Sequence, residues 1–449
     1  MGGLIGPDEI RRVTGAALEL SKVDGVEVLV MHEWGGLTRF ARSAIHQNTW
    51  SEDTEMRVRV VTGGRTAVAA TNDLTAEGAL KAAKHAREMA MVAAPDPDWP
   101  GLAPAAPAQE KDAFDDATAS VTPEARAETV ARLVAACPDG FHAAGAHETG
   151  AMEVVLASTE GQFCYAPATQ TSITTVIAGG DGGTGFAETF AGRIDEIDAT
   201  VVGERAATKA ASSEQPRDIE PGEYDVVLEP AATSTLVGFL SYLGFGGRAL
   251  IEGRSCLSGK EGDLVAAPAI TMADDALDPD TLGLPFDFEG TPRRRIELIR
   301  DGVFRSGVTD RRTAKQSDTE STGHALPPPE PEGPFPLNVR MEPGDASMEE
   351  LIASTERGLL VTRFHYSNVV EPTTSVITGM TRDGTFMIEG GRIAYPVKNL
   401  RFTQSILEAL TNTRAIGRDL ELASEFFFSA SLVPALAIDG FRFSSVSDH

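Results

Sequence analysis

The chain has 449 residues, 42% apolar and 23% charged, which is enough for two or three domains and at least one sizeable core. Its formal net charge is −27. That excludes broad contact with nucleic acid or an anionic membrane, because no cationic face is available to neutralise phosphates. The three cysteines, Cys137, Cys164 and Cys256, are odd in number and form no CxxC, so a reducing cytoplasm fits better than a disulfide framework.

The start, Met1-Gly-Gly-Leu-Ile-Gly-Pro7, has neither a basic nor an apolar leader segment, so no signal peptide is expected. No apolar run reaches the roughly 18 residues that span a bilayer. A helix pattern runs from Glu9 to Lys22, and Val26–Met31 reads as a strand. Leu37–Ala41 and Met56–Val61 alternate apolar and polar residues, as half-exposed strands do. Gly63-Gly64 marks a hairpin turn. Thr75–Met91 is Ala-, Lys- and Glu-rich with helical spacing. These elements define an N-terminal α+β unit, residues 1–93. Residues 94–115 are a Pro-rich linker too dense in proline for helix or central strand.

A middle α+β unit, residues 116–215, opens with a helix from Pro123 to Ala136. Strands follow at Met152–Ala157, Gln162–Tyr165 and Thr171–Ile177, then a helix from Glu196 to Ala211. The third unit, residues 216–449, is β-rich. Strand Tyr224–Leu228 leads through Pro230 into a helix. Asp301-Gly302 joins strands at Arg295–Ile299 and Val303–Val308. Ser347-Met-Glu-Glu350 is a capping box, and Gly358 is placed to stop that helix. Arg382-Asp-Gly-Thr385 and Glu389-Gly-Gly-Arg392 read as turns between strands. Phe426–Ile438, interrupted by Pro434, reads as a buried strand. The expected fold class is α+β, with antiparallel sheets throughout and packed helices.

Several local patterns bear on chemistry. His32-Glu33 and His147-Glu148 begin like zincin motifs, but no second His follows one helical turn later. Gly179-Gly-Asp-Gly-Gly-Thr-Gly185 lacks the Lys-Ser/Thr ending of a phosphate loop and reads as a tight turn. Gly244-Phe-Gly-Gly-Arg248 reads as a helix stop. Cys256 sits between Arg254 and Lys260, cations that would lower a thiol pKa. The acidic run Asp274-Asp275, Asp278 and Asp280 lacks the ligand order of a calcium loop and reads as a solvated loop.

Five blocks, in order, resemble the TldD/PmbA (TldD/TldE) metallopeptidase family. They are Leu37–Asn48, Pro285-Phe-Asp-Phe-Glu-Gly-Thr-Pro292, Glu320-Ser-Thr-Gly-His-Ala325, Leu337–Ser347 and Thr381–Thr403. The resemblance implies N-terminal, middle and C-terminal domains of that family's type, and metal-dependent proteolysis of flexible peptides by a TldD-like and a TldE-like subunit. In the TldD-like subunit an HExxxH helix and a C-terminal Cys hold the metal. Counted without gaps from Val226-Val-Leu-Glu-Pro230, those positions here are Gly238, Phe239 and Leu243, and Phe426–Ile438 contains no Cys.

The chain therefore resembles the TldE/PmbA branch, and no catalytic, metal or cofactor residue is carried over. The resemblance implies a noncatalytic cytoplasmic subunit without its own cofactor. A zinc-like metal is expected in a TldD-like paralogue, which would pair with this chain as a heterodimer; a homodimer is the alternative. An extended peptide is the expected substrate, and neither nucleic acid nor membrane is an expected partner. Two other readings are an autonomous non-metal hydrolase or tailoring enzyme, using Cys256 or the loop at Gly179, and a pure interaction scaffold.

Overall fold

A computed structural model describes residues 2–107, 109–426 and 429–446. Its first part comprises helix α1 (Pro7–Leu18), strands β1 (Gly25–Ala41), β2 (Ala44–Thr62) and β3 (Arg65–Thr71), and helices α2 (Ala76–Val92), α3 (Asp116–Ala119) and α4 (Pro123–Ala135). Strands β4 (Phe141–Ser158), β5 (Phe163–Gly179) and β6 (Thr184–Ala191) and helix α5 (Ala199–Ser212) follow. The six strands form one antiparallel sheet in the order β3-β2-β1-β4-β5-β6. Long β1–β4 pairing, from Glu27↔Ser158 to Phe40↔Gly145, joins the strands on either side of the Pro-rich segment.

Successive side chains of a strand point to opposite faces, and both faces of this sheet are used. One face buries Val26, Val28, Val30, Met56, Val58 and Val60 beneath α1 and α2. The inner side of α2 is Ala79, Ala82, Ala83 and Ala86, small enough for the helix to lie close to the strands. Thr75 caps it by accepting from the Gly78 N–H at 3.0 Å. On α4, fully buried Arg126 donates to Thr38 Oγ1, Thr149 Oγ1, Asn48 Oδ1 and the Val121 carbonyl at 3.0–3.2 Å. A Cβ at Gly36 would lie 2.2 Å from its Cζ, so only glycine admits the guanidinium there.

The C-terminal part contains β7 (Gly222–Leu228), α6 (Pro230–Gly244), α7 (Gly247–Ile251), β8 (Met272–Asp274), β9 (Ile296–Arg300), β10 (Val303–Phe304), α8 (Arg311–Gln316) and β11 (Val339–Met341). It continues with α9 (Met348–Ala353), β12 (Arg357–Glu371), β13 (Val376–Glu389), β14 (Arg392–Pro396), β15 (Leu400–Ser405), α10 (Ile406–Thr411), β16 (Thr413–Phe426) and β17 (Ser429–Val446). The strand path is β10-β9-β8-β11-β17-β15-β13-β12-β7, and β17 also pairs with β7. Strands β17, β15, β13, β12 and β7 thus close a ring. Phe364, Phe402 and Phe441 cluster within it, with ring centroids 4.4–5.7 Å apart. Helix α6 packs into the same core through Leu236, Val237, Phe239, Leu240 and Leu243. The chain is α+β with largely antiparallel sheets; the departures are the parallel pairs β7–β12 and β11–β17.

Most expected elements are present, with informative differences. Leu37–Ala41 is the end of the same strand as Val26–Met31. The Arg295–Ile299 hairpin forms, but its second strand stops at Phe304. The second middle-unit helix starts at Ala199 rather than Glu196, after a single 3₁₀ turn. The Ser347/Glu350 capping box is made in both directions, yet the helix ends at Ala353. Gly358 lies inside β12, where a Cβ would be 2.4 Å from the Asp225 carbonyl of β7. Arg382–Thr385 is not a turn. It is a bulge within β13, set opposite Thr362, with Asp383 at φ 55° and Gly384 at φ 123°. Glu389–Arg392 is the hairpin turn. Of the expected strand Phe426–Ile438, residues 427 and 428 lie outside the described residues; the rest belongs to β16 and β17.

The two kinds of glycine should respond differently to substitution. A Cβ at Gly384 would lie 2.7 Å from Thr362 Oγ1 and force a side chain into a glycine conformation, whereas Gly390 (φ 56°) faces open space. Gly384→Ala is expected to cost about 2–3 kcal/mol and Gly390→Ala about 1 kcal/mol. Urea unfolding midpoints check this, and equal losses would refute the bulge assignment.

Candidate functional site

Helix α6 begins where β7 ends. Pro230 occupies its first turn, where a missing N–H is harmless. The helix is buried nearly all round, as a helix at the centre of a domain is. Phe239 and Leu243 lie in the hydrophobic core, and Gly238 is half-buried. None of the three can ligate a metal or move a proton, so the residues present do not fit a metal at these positions. Among the described residues no group of three or more His, Cys, Asp or Glu side chains is arranged to hold an ion.

The start of α6 opens on a seam between the two sheets. Lys209 of α5 pairs with Glu229, and Arg205 with Glu421 at 3.0 Å. Arg363 pairs with Asp383 of the bulge and lies 4.1 Å over the Phe186 ring. Three clefts of about 380–430 Å³ line this seam and the neighbouring sheet face. The largest lies over β1, β2, β4 and β5, where Gly35 pairs with Gly150 and the floor is bare backbone. Its charged lining residues are Glu33, Asp53 and Glu148, all acidic. Burial, reinforced by Asp53 and Glu55, raises the Glu33 pKa. The cleft can therefore accommodate an extended, cationic or hydrogen-bonding ligand; its described lining includes the Ser51 and Ser172 hydroxyls but no Cys, His or Lys.

The His-Glu pairs are separated by strand geometry. Both lie in strands, so each His and its Glu point to opposite faces. His32 is buried, with Nδ1 2.7 Å from Thr54 Oγ1. His147 is buried near Arg126, and burial pushes its pKa down to about 4. Glu33 and Glu148 face the cleft instead. Cys256 is packed in the C-terminal core, where burial pushes its thiol up to about 11 despite Lys260, so it is no activated nucleophile. The Gly179–Gly185 segment is the turn between β5 and β6. Gly244 ends α6, as expected of a helix stop.

The acidic run is not a solvated loop throughout. Asp274 is fully buried, 2.9 Å from His324 Nε2, and accepts the Asn338 N–H at 2.8 Å. Asp278 pairs with Arg340 at 2.6 Å, and Asp275 lies 3.5 Å from Arg295. Lys111 donates to the Ala276 and Thr281 carbonyls at 2.7 Å, and burial lowers its pKa to about 8.

A second buried cluster centres on Asp287 and Glu289 of the Pro285–Pro292 block, whose electrostatic role the sequence did not reveal. Asp287 accepts the N–H groups of Glu289, Thr291 and Ala325 at 2.8–3.0 Å. Glu289 accepts the Arg311 N–H at 3.2 Å and lies 3.7 Å from Arg59, which contacts Glu27 at 2.9 Å. The partners come from distant segments, so no local spacing signals them. Glu27 and Arg59 stand out as charges in otherwise apolar stretches of β1 and β2, whereas Asp287 and Glu289 lie outside strands.

Comparison with known proteins places this architecture. The family model "PmbA/TldA metallopeptidase C-terminal domain" matches residues 221–445, and "PmbA/TldA metallopeptidase domain 1" matches residues 26–90. The chain belongs to the PmbA/TldD metallopeptidase family. It is 24% identical to Metalloprotease PmbA of Escherichia coli O157:H7 over 96% of each chain. It is 28% identical to a metalloprotease of Methanothermobacter thermautotrophicus over 55% of this chain, a stretch spanning about half (53%) of that relative. TldE from Thermococcus kodakarensis shares the fold: TM-score 0.87, 20% identity, covering 97% of this chain and 99% of that one. No helix among the described residues is long and apolar enough to cross a membrane.

The buried carboxylates set a pH dependence of stability. Burial outweighs the Arg59 contact and raises Glu27 to about 7. The folded chain therefore holds this proton between about pH 4.5 and 7 while the unfolded chain releases it, so the contribution is lost as pH rises through that window. His147 acts oppositely, its contribution growing from about pH 4 to 6.5. Glu27→Gln is expected to gain stability relative to the parent as pH goes from about 5 to 7, measured by urea unfolding. A difference that stays flat across that range contradicts this assignment.

Proposed function

We propose that this chain is a TldE/PmbA-like, noncatalytic subunit of a cytoplasmic TldD/TldE-type metalloprotease complex that degrades or processes flexible peptides. The observation that carries the reading is the set of side chains on α6: Gly238, Phe239 and Leu243, with two of the three in the core. A chain built this way lends shape rather than chemistry. The metal and its activated water would belong to a TldD-like paralogue bearing HExxxH. This subunit would help enclose the peptide and hold it extended.

The acidic cleft over Gly35 and Gly150 supports the second role. A bare backbone floor suits an extended main chain, and Glu33, Asp53 and Glu148 favour lysine- or arginine-containing peptides over acidic ones. The purified chain is expected to hold no stoichiometric zinc by elemental analysis and to cleave no unfolded peptide alone. Adding an HExxxH-bearing relative from the same cell should give activity. Stoichiometric zinc in the pure chain, or peptidase turnover without a partner, would refute the proposal.

A further inference from the structure

Where the first sheet meets the C-terminal part, buried acid outnumbers the base that is free to pair with it. Glu27 of β1 lies opposite Arg59 of β2 in the register. Both alternate with the valines under α1 and α2, so they point to the other face, toward the segment that carries Glu289. Arg59 Nη1 lies 2.9 Å from Glu27 Oε1 and 3.7 Å from Glu289 Oε1. One guanidinium thus stands between carboxylates from the two sides of the joint, and these are only 2% and 8% exposed. The other cations near them are committed elsewhere. Arg311 of α8 gives Nη2 to the Pro100 and Leu102 carbonyls at 3.4 and 3.2 Å. Arg293 donates to Asn338 Oδ1 at 3.1 Å and lies 3.7 Å from Asp274. Two more carboxylates face the pair, Asp310 at the cap of α8 and Asp287. Burial and Glu289 push the Asp287 carboxyl up, while its three amide donors pull the other way. Ser158 of β4 is opposite Glu27, and Trp99 of the Pro-rich segment lies against Arg59, 5.2 Å from its ring centroid.

We propose that this joint is a proton-operated latch: Glu27 and Glu289 hold one proton between them while the two parts are docked, and its release to solvent loosens the joint. One guanidinium neutralises one carboxylate. The second must be neutral to stay buried, because a buried charge without a partner is costly. Glu27 has room for the proton, since its Oε1 accepts no aligned hydrogen bond among the described residues despite the nearness of Arg59. On release the carboxylic O–H bond breaks, the proton passes to water, and two anions are left around one arginine. Burial raises both carboxyls above their ordinary range, Glu27 to about 7. The docked joint therefore keeps its proton between about pH 4.5 and 7, where a carboxyl open to water has lost it. Docking is strongest at the acid end of that window and weakens as pH rises through it. Loosening reaches the cleft, because Leu282, just before Pro285, lines both the acidic cleft and the one beside Lys111. The latch thus makes the shape of the cleft depend on pH near neutrality. It belongs to this chain alone and stands whether or not the subunit role proposed above is correct.

Hydrogen exchange of the pure chain, read by mass spectrometry and corrected for the intrinsic effect of pH, tests it. The amides of Glu289, Gly290, Thr291 and Arg311 are hydrogen-bonded inside the joint. Their protection is expected to fall at least about tenfold from pH 5 to 7, the change that one retained proton gives. The amides of β4 and β5 should stay better protected than these at both pH values, because the joint opens without unfolding the sheet. Glu27→Gln leaves Arg59 with one carboxylate and no proton to hold, so its joint protection should change by less than about threefold over the same range. Glu289→Gln should behave alike, and circular dichroism shows that each variant is folded; one folded variant suffices. A parent whose joint protection is the same at pH 5 and 7 overturns the proposal. So does a glutamine variant that keeps the parent's full pH dependence, or a joint that opens only together with β4 and β5.

Discussion

Two buried carboxylates, Asp274 and Asp287, organise the C-terminal half of the molecule. A buried charge is costly unless its lone pairs are filled, and here distant parts of the backbone fill them. Asp287 draws Glu289, Thr291 and Ala325 around one side chain. Asp274 holds His324, next to Ala325, and the Asn338 amide. Three irregular segments, near 287, 324 and 338, are thereby fixed to one another without regular secondary structure. Each bond is worth about 1–3 kcal/mol against leaving the group unpaired, so none of the segments can shift alone.

The same clamp docks the two sheets. Phe286, next to Asp287, packs on Leu29, Val154, Leu156, Cys164 and Ala166, on the side of the first sheet away from its helices. Glu289 meets Arg59 and through it Glu27. Gln162 Nε2 donates to the Gly290 carbonyl at 3.0 Å, and a Cβ at Gly290 would lie 2.7 Å from Leu156. The segment that carries the family resemblance at Pro285–Pro292 is therefore a joint between domains. Glu320–Ala325 ties loops of the C-terminal part to one another through Thr309, Asp274 and Asp287, and Thr381–Thr403 is a bulged strand, a hairpin and a strand of the ring. Recognisable sequence in this chain marks the scaffold, because the scaffold depends on local conformations few residues can adopt.

That division explains what was legible in advance. Three helix starts were readable because their signals are local, at Thr75, Pro123 and Ser347; the first helix, expected over Glu9–Lys22, instead runs from Pro7 to Leu18. Strands with an apolar face, such as Val26–Met31 and Met56–Val61, were readable for the same reason. The first half of β4, Phe141-His-Ala-Ala-Gly-Ala-His-Glu-Thr-Gly-Ala151, has little β-propensity and was not read as a strand. It is one because β1 and β5 flank it on both sides, an influence no local window contains. The Arg382–Thr385 bulge failed similarly. Asp-Gly is the commonest hairpin turn, and only the register against β12 shows the strand running through it. At the candidate site Gly238, Phe239 and Leu243 of α6 could be counted along the sequence, whereas the acidic cleft, lined from β1, β2, β4, β5 and β6, could not.

Strand geometry also limits where any chemistry could reside. A dipeptide such as His32-Glu33 places acid and base on opposite sides of a sheet, so neither pair can work as a unit. On the helix-covered face, burial pushes the His147 pKa down to about 4, so its imidazole is neutral near pH 7. The charged groups that line the cleft on the open face, Glu33, Asp53 and Glu148, are all carboxylates. The central helix α6 contributes apolar contacts through Leu236, Val237, Phe239, Leu240 and Leu243. What remains on the open face is a cleft of about 430 Å³ whose charged lining is entirely acidic.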